Sequence, residues 1–291
     1  MMRLIELSSE GCRLKQVLIT GASTGIGYCL AKDLCAQGHQ VWAGARKPEV
    51  LERLKEDFPQ SMHILKLDVT KEADIENAFK EISKNFDNNS EFILVNNAGI
   101  ALAGPIEGLR METWREVFEV NTFAPIRMTQ VFLPLIRKTK GRVINVGSIS
   151  GLISSPFLGP YCTSKFALRS FNDSLRRELL VHGVKVVLIE PGPVRTEIWS
   201  KSLNYSEEQE KLMSPEMHEV YGKQIDSLRE GVKETVHEAI PVEEVTTAMV
   251  HAIESPHPKL YYLLGKSIHM RAAMGKFLPA SWIDQMLKKG F

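Results

Sequence analysis

Lys15-Gln16-Val17-Leu18-Ile19-Thr20-Gly21-Ala22-Ser23-Thr24-Gly25-Ile26-Gly27 is the stretch on which the fold turns. Its first six residues carry a short apolar run with branched side chains, the pattern of a buried strand. The glycines that follow are spaced G-x3-G-x-G, and Tyr28 to Gln37 then reads as a helix. Strand, glycine turn and helix N-terminus in that order form a site for the phosphates of a dinucleotide. The glycines let the backbone turn sharply and approach a pyrophosphate, and the helix end supplies amide donors and a partial positive charge. The spacing is not the commoner G-x-G-x-x-G, and a glycine triplet alone also suits an ordinary tight turn.

Outward from this stretch the chain alternates strand and helix. Strands are expected over Gln40 to Ala45, His63 to Leu67, Glu91 to Val95, Arg142 to Gly147, Lys185 to Ile189 and Leu260 to Leu264. Helices are expected over Pro48 to Asp57, Lys71 to Phe86, Met111 to Lys138, Tyr161 to His182 and Val242 to Glu254. Ile75, Ala78, Phe79 and Ile82 give one of these its helical spacing. Repeated β-α units joined by right-handed crossovers imply an α/β fold, a doubly wound parallel sheet with helices on both faces. Ligands in such sheets bind beyond the strand C-termini, at the switch point.

Tyr161 and Lys165 stand one helical turn apart, so phenol and ammonium share a face, and Ser148 precedes them after the fifth strand. A nearby cation favours phenolate and is expected to pull the tyrosine pKa down from about 10. A tyrosine tuned in this way exchanges a proton with an alcohol or ketone near neutrality. Ser148 is placed to hold the carbonyl oxygen.

Taken together, the motifs resemble the classical short-chain dehydrogenase/reductase family, over about Lys15 to about Gly265. They occur in the family's order: Thr20-Gly21-x3-Gly25-Ile26-Gly27, Asp68-Val69, Asn96-Asn97-Ala98-Gly99, Asn121, Ser148, Tyr161-x3-Lys165 and Pro191-Gly192-x3-Thr196. Gly104 to Thr196 looks most like the branch of retinol and 17β-hydroxysteroid dehydrogenases. The resemblance implies a Rossmann-type fold and an oxidoreductase acting on CH-OH groups, with Asn121, Ser148, Tyr161 and Lys165 as catalytic residues. It implies cofactor contacts from Gly21, Ser23, Thr24, Gly25, Ile26 and Gly27, from Asp68 and Val69 at the adenine, and from Asn97, Ala98 and Gly99 on the adenosine side, where holding the central strands together is their other role. Tyr161 and Lys165 serve the cofactor too, while Pro191, Gly192, Val194 and Thr196 bound the nicotinamide end. The family's asparagine distorts its helix. Here Pro125, four residues after Asn121, gives a kink a local cause, and Ala124 or Pro125 stands where members often have glycine.

The cofactor expected is NADP(H) rather than NAD(H). The second strand ends in Ala43-Gly44-Ala45-Arg46-Lys47, with no acid to chelate ribose hydroxyls. Arg46 suits a 2′-phosphate by charge and by fork geometry, and an exposed charge is its other reading. Near the reaction centre, Ile100, Ala101, Leu102, Leu152, Ile153, Pro156, Phe157, Leu158, Ile198 and Trp199 are mostly apolar. They suit a lipophilic alcohol and its ketone or aldehyde, or merely pack.

One catalytic domain, 15–291, is expected after an N-terminal extension, 1–14. Ser200 to Glu238 fits no β-α unit. Met213, Met217, Val220, Tyr221, Ile225 and Leu228 recur there at helical spacing, so an amphipathic helix is expected to lie over the substrate as a lid. A helical tail, 266–291, carries Met270, Ala273, Met274, Phe277, Leu278, Trp282, Ile283, Met286 and Leu287. Packing over the substrate site or at a subunit contact is preferred for it over peripheral membrane contact. The resemblance implies a homodimer or homotetramer built through the helices that carry Asn121 and Tyr161.

A formal net charge of +1 argues against nucleic acid as a partner. The four cysteines form no C-x-x-C pair, which with the absence of a secretory signal in the first fourteen residues points to reduced thiols in the cytoplasm. The eight histidines show no metal-binding spacing, so no metal is expected. An NADP(H)-dependent oxidoreductase is favoured over a non-catalytic nucleotide-sensing protein on the same fold, because Asn121, Ser148, Tyr161 and Lys165 are all present. A 3-oxoacyl thioester reductase is the alternative enzyme, although no clear basic docking patch is seen.

Overall fold

The computed structural model describes residues 14–211, 213–266 and 268–288. The expected N-terminal extension, with Leu4, Ile5, Leu7 and Cys12, lies outside them apart from its last residue, as do residues 289–291. In chain order the first half runs β1 (Gln16–Thr20), α1 (Gly25–Ala36), β2 (Gln40–Ala45), α2 (Glu52–Asp57), β3 (Met62–Lys66), α3 (Glu72–Lys84), β4 (Phe92–Asn96), α4 (Met111–Phe118) and α5 (Ala124–Thr139). There follow β5 (Arg142–Val146), α6 (Gly159–Leu179), β6 (Lys185–Pro191), α7 (Ile198–Glu210), α8 (Pro215–Glu238), α9 (Val242–Glu254), β7 (Tyr261–Leu264), α10 (Ile268–Phe277) and α11 (Ala280–Lys288).

The strands form one sheet in the order β3-β2-β1-β4-β5-β6-β7, and every pair is parallel. The order reverses between β1 and β4, where Gln16 lies opposite Phe92 and Ile19 opposite Val95. β1 reads as an unbroken apolar run because both its faces are covered. Val17 and Ile19 join a core with Leu30, Leu34, Val245, Met249 and Ile253 on one face. Leu18 joins Ile75, Phe92, Leu94, Phe132 and Val143 on the other. Phe132 stacks on Phe92 at 5.7 Å between ring centroids and meets the edge of Phe79 at 5.5 Å. Burial of each large side chain of this kind contributes about 1.5–3 kcal/mol.

A polar cluster closes the N-terminal end of the sheet. Arg142, 2% exposed, donates from Nε to Glu91 Oε1 at 2.6 Å and from Nη1 to the Ala252 and Ser255 carbonyls at 2.7 Å. Lys15 Nζ donates to Glu91 Oε2 at 3.0 Å and to the Ile253 carbonyl at 2.9 Å. Two cations thus satisfy carbonyls at the C-terminus of α9, where the helix dipole favours them. Burial raises the Glu91 pKa, but its bonds to Arg142 and the charge of Lys15 outweigh this and hold it below the usual range.

Three local expectations are corrected. α1 begins at Gly25 rather than Tyr28, so Gly25 and Gly27 belong to its first turn. The helix expected over Met111 to Lys138 is broken by a π-helical turn at Glu119–Phe123, which contains Asn121 and hands over to α5 just before Pro125. Proline has no N–H to close an α turn back onto Asn121, so a wider turn is the local solution. The single helix expected within Ser200 to Glu238 is two: α7 ends at Glu210 and α8 starts at Pro215, a favoured first position. Val220, expected on the inner face, is 63% exposed. Among the described residues, no helix is long and apolar enough to cross a membrane.

Candidate active site

The glycine turn and the segment after β4 form one cradle. Thr20 Oγ1 accepts from the amides of Asn97 and Ala98, each at 3.0 Å. Asn97 Nδ2 donates to the Thr20 and Gly21 carbonyls at 2.9 and 3.0 Å. Gly21 has φ +65, and a Cβ there would lie 2.8 Å from Ala98 Cα. At Gly27 a Cβ would lie 2.5 Å from both Asn97 Nδ2 and the Gly21 carbonyl oxygen. The Asn97 side chain thereby ties the segment after β4 to the glycine turn. Thr196, after β6, packs on Gly25, where a Cβ would stand 3.1 Å from its Cγ2. Ser23 is half-buried and Thr24 exposed in the turn, and Ile26 packs against the core.

At the far side of the cradle, Arg46 is exposed just after β2. Asp68 lies after β3, and its Oδ1 accepts from Thr70 N at 3.1 Å and Thr70 Oγ1 at 2.8 Å. Burial pushes the Asp68 pKa up, but the Thr70 bonds and the charges of Arg46 and Lys71 bring it below its ordinary value. Val69 is buried beside it. A cradle that admits no Cβ at Gly21 or Gly27, with an exposed guanidinium at the end of β2, fits a phosphorylated dinucleotide such as NADP(H).

Ser148, Tyr161, Lys165 and Asn121 converge beyond β4 and β5. Asn121 is fully buried; its Oδ1 accepts from Ile100 N at 2.9 Å, and its Nδ2 donates to the Ile100 carbonyl at 2.8 Å and to Ser164 Oγ at 3.0 Å. Ser164 Oγ in turn donates to the Tyr161 carbonyl at 2.7 Å. Lys165 Nζ donates to the Val146 carbonyl at 2.9 Å and lies 5.7 Å from the centre of the Tyr161 ring. Gly99 faces this cluster, since a Cβ there would meet Asn121 Oδ1 at 3.4 Å and Lys165 Nζ at 3.7 Å. Ser148 Oγ accepts from Ser150 N at 3.1 Å, which fixes the turn Ile149–Gly151. Gly151 allows that turn to approach α6, for a Cβ would lie 2.9 Å from the Lys165 carbonyl oxygen.

The electrostatics correct one expectation. Burial raises the Tyr161 pKa above its ordinary value, and the hydrogen bond with Ser148 opposes this without overcoming it. Burial also lowers the pKa of Lys165, to about 8. The ammonium is aimed at the Val146 carbonyl rather than the phenol oxygen, so it does not pull the tyrosine towards neutrality. What the site holds is a phenol that stays protonated at neutral pH, the form that gives a proton away.

The nicotinamide end expected at Pro191 and Gly192 is closed by α10. Gly192 N donates to the Leu264 carbonyl at 2.8 Å, and a Cβ on Gly192 would lie 2.9 Å from Ile268 Cδ1. Val194 is buried and accepts from Trp199 Nε1 at 2.8 Å. The apolar loop before Tyr161 is walled on several sides. The Phe157 carbonyl accepts from Gly104 N at 2.8 Å, and the Phe157 ring meets the edge of Tyr221 on α8 at 6.2 Å. Tyr221 donates to Glu107 at 2.8 Å, Met217 packs on Gly108, and Gly275 of α10 lies against the Leu152 carbonyl.

Sequence reasoning missed Phe157 as a left-handed residue, with φ +64, for which the chain carries no local signal. It also missed Glu190 and Arg169, an ion pair between β6 and α6 in which the glutamate is buried and the arginine half-buried. A signal existed there: Glu190 interrupts an otherwise apolar strand, and Arg169 follows Lys165 by one helical turn.

The family model described as short chain dehydrogenase matches residues 15–206. An NADPH-dependent 3-dehydrocapnine reductase of Ornithobacterium rhinotracheale is 35% identical over 282 residues, covering 95% of this chain and 97% of its own. Retinol dehydrogenase 7 of Mus musculus is 35% identical, over 94% of this chain and 87% of its own. A short-chain dehydrogenase structure from Streptomyces avermitilis superposes with a TM-score of 0.77 at 26% identity, over 97% of this chain and 96% of that one.

Proposed function

The chain belongs to the short-chain dehydrogenase family, in its branch of retinol and 17β-hydroxysteroid dehydrogenases, and from that premise we propose that it is an NADP(H)-dependent oxidoreductase interconverting a lipophilic alcohol and its ketone or aldehyde. The observation that carries this reading is the convergence of Tyr161, Lys165, Ser148 and Asn121 beyond β4 and β5, beside a glycine cradle that admits no Cβ at Gly21 or Gly27. NADP(H), when bound, supplies or accepts the hydride.

In reduction, Ser148 donates a hydrogen bond to the carbonyl oxygen and orients it. Tyr161 delivers its proton to that oxygen as the carbonyl carbon is reduced. Its raised pKa keeps that proton in place through neutrality. In oxidation the same groups act in reverse. Lys165, tied to the Val146 carbonyl and lying 5.7 Å from the centre of the tyrosine ring, holds α6 to the end of β5. Preference for NADP(H) over NAD(H) is supported by Arg46 and the lack of an acid after β2, and by the NADPH-dependence named for the Ornithobacterium relative. A lipophilic substrate is supported by the loop Leu152 to Leu158 and its wall from α8, which gives Ser200 to Glu238 the role of lid.

Assembly as a homodimer or homotetramer is supported by Phe123 and Phe166, which stand 47% and 41% exposed on the helical segments that carry Asn121 and Tyr161. A cytoplasmic setting is supported by Cys29, Cys35 and Cys162, all free thiols. The test is an NADPH-oxidation screen over lipophilic ketones, aldehydes and 3-oxoacyl thioesters, with NADH in parallel. Turnover of ketones or aldehydes with NADPH is expected. NADPH binding with no turnover of any of them would make the chain a nucleotide sensor, and turnover of thioesters alone would make it an acyl reductase.

A further inference from the structure

We infer that Glu190 is a positioning residue, which with Arg169 fixes the strand end carrying Ser148 against the helix carrying Tyr161 and Lys165; the inference rests on the oxidoreductase reading above.

Glu190 is the penultimate residue of β6, next to Pro191, and follows an apolar run from Val186 to Ile189. Its side chain is 1% exposed. Oε1 accepts from Arg169 Nη1, and among the described residues Oε2 has no hydrogen-bond partner. The carboxylate stem passes beneath β5: a Cβ on Gly147 would lie 3.3 Å from Glu190 Cγ. Gly147 stands between Val146, whose carbonyl takes the Lys165 bond, and Ser148. It is itself held by β6, through its N–H to the Ile189 carbonyl at 2.7 Å.

From the other side, Tyr161, Lys165, Arg169 and Asp173 follow at one-turn intervals along one face of α6. The Arg169 guanidinium lies 4.6 Å from the centre of the Tyr261 ring on β7, and the Tyr261 hydroxyl donates to Asp173. Arg169 is thereby clamped between an aromatic face and the Glu190 carboxylate. One side chain thus touches both halves of the catalytic couple: Gly147 next to Ser148, and the helix face below Tyr161.

Stability does not account for this pair. A buried ion pair roughly breaks even against an apolar pair of similar volume, and here one carboxylate oxygen is left unsatisfied, a costly arrangement. Burial pushes the Glu190 pKa up, against the bond and charge of Arg169. What the pair supplies is direction: a single oxygen-to-nitrogen contact sets the spacing of β6 and α6, and with it the approach of Ser148 to Tyr161.

The test compares wild type, Glu190→Leu/Arg169→Met and Glu190→Gln. It reads Tm, NADPH affinity, kcat and KM on a ketone, and the titration of Tyr161 followed by NMR of 13C-labelled tyrosine, assigned with Tyr161→Phe. The double variant replaces the ion pair by an apolar pair and is expected to keep wild-type Tm and NADPH affinity. Its kcat is expected to fall about tenfold or more at little-changed KM, since small misplacements of reacting groups are costly. Its Tyr161 titration is expected to move upward, because Ser148, whose influence opposes that of burial, is drawn away from the phenol. Glu190→Gln keeps an oxygen for Arg169 and is expected to retain most of the wild-type kcat. A double variant with wild-type kcat and wild-type titration overturns the inference, as does Glu190→Gln as slow as the double variant, which would make charge and not anchoring the cause. A wild type that reduces no ketone defeats the oxidoreductase reading alone, and the tyrosine titration then still decides whether Glu190 positions Tyr161.

Discussion

Gly27→Ala tests the cofactor cradle at its tightest point. The added Cβ would lie 2.5 Å from Asn97 Nδ2 and from the Gly21 carbonyl oxygen, and 3.0 Å from Ala22 Cα. Two of these neighbours are backbone, so no rotamer change relieves the contact. Overpacking of this kind costs about 1–3 kcal/mol. Displacing Asn97 also weakens its bonds to the Thr20 and Gly21 carbonyls, each contributing about 0.5–1.5 kcal/mol. The total is about 2–6 kcal/mol. At about 2.1 cal/mol/K per residue, the unfolding entropy of 291 residues is about 0.6 kcal/mol/K, so Tm falls by about 3–10 °C. The same displacement moves the turn amides proposed to meet the cofactor's pyrophosphate. If about 1.4 kcal/mol of it appears in binding, the Kd for NADPH rises tenfold. Scanning fluorimetry reads Tm, and titration of NADPH fluorescence reads Kd. Gly231→Ala on α8, where an added Cβ meets nothing within 4 Å, is the control; it is expected to leave both quantities in place or raise Tm slightly. Gly27→Ala with wild-type Tm and Kd would refute the geometry.

Arg46→Asp is expected to raise the Kd for NADPH about tenfold, the lower range for a charge-assisted bond because Arg46 is exposed. NADH should be affected far less, and a wild type that already prefers NADH contradicts the reading. The pH profile of ketone reduction should be level below neutrality, where Tyr161 stays protonated. It should fall as pH rises past about 8, where Lys165 loses its proton; activity still rising above that point would contradict the assignment. Hydrogen exchange across Ser200 to Glu238 should slow when NADPH and a ketone bind together, and equal protection in the free and ternary states would make α7 and α8 a static wall.

The order of strands and helices was legible because a doubly covered parallel sheet writes its central strands as apolar runs, as in β1 and β4. The convergence of Ser148, Tyr161 and Lys165 was legible too, because strand ends and one helical turn place them without help from distant residues. Where the readings departed, distant residues decided. The Tyr161 pKa is set by what buries it, and the direction of Lys165 by the Val146 carbonyl, neither of which is written in the spacing of the two residues. The π turn at Asn121 was half legible, since Pro125 signalled a disturbance without its geometry. The break between α7 and α8 had a cue in Ser214-Pro215 that the run of apolar residues on either side concealed. Glu190 and Arg169 meet only because β6 lies under α6.

Single-turnover oxidation of bound NADPH by a lipophilic ketone tests whether Tyr161 gives the proton in the hydride-transfer reaction. Tyr161→Phe keeps the ring and removes the only phenolic proton in the Ser148–Lys165 cluster. The account predicts a rate at least about a hundredfold slower, with NADPH affinity little changed because the phosphate cradle lies elsewhere. A Tyr161→Phe protein that oxidises NADPH at a near-wild-type rate would contradict it.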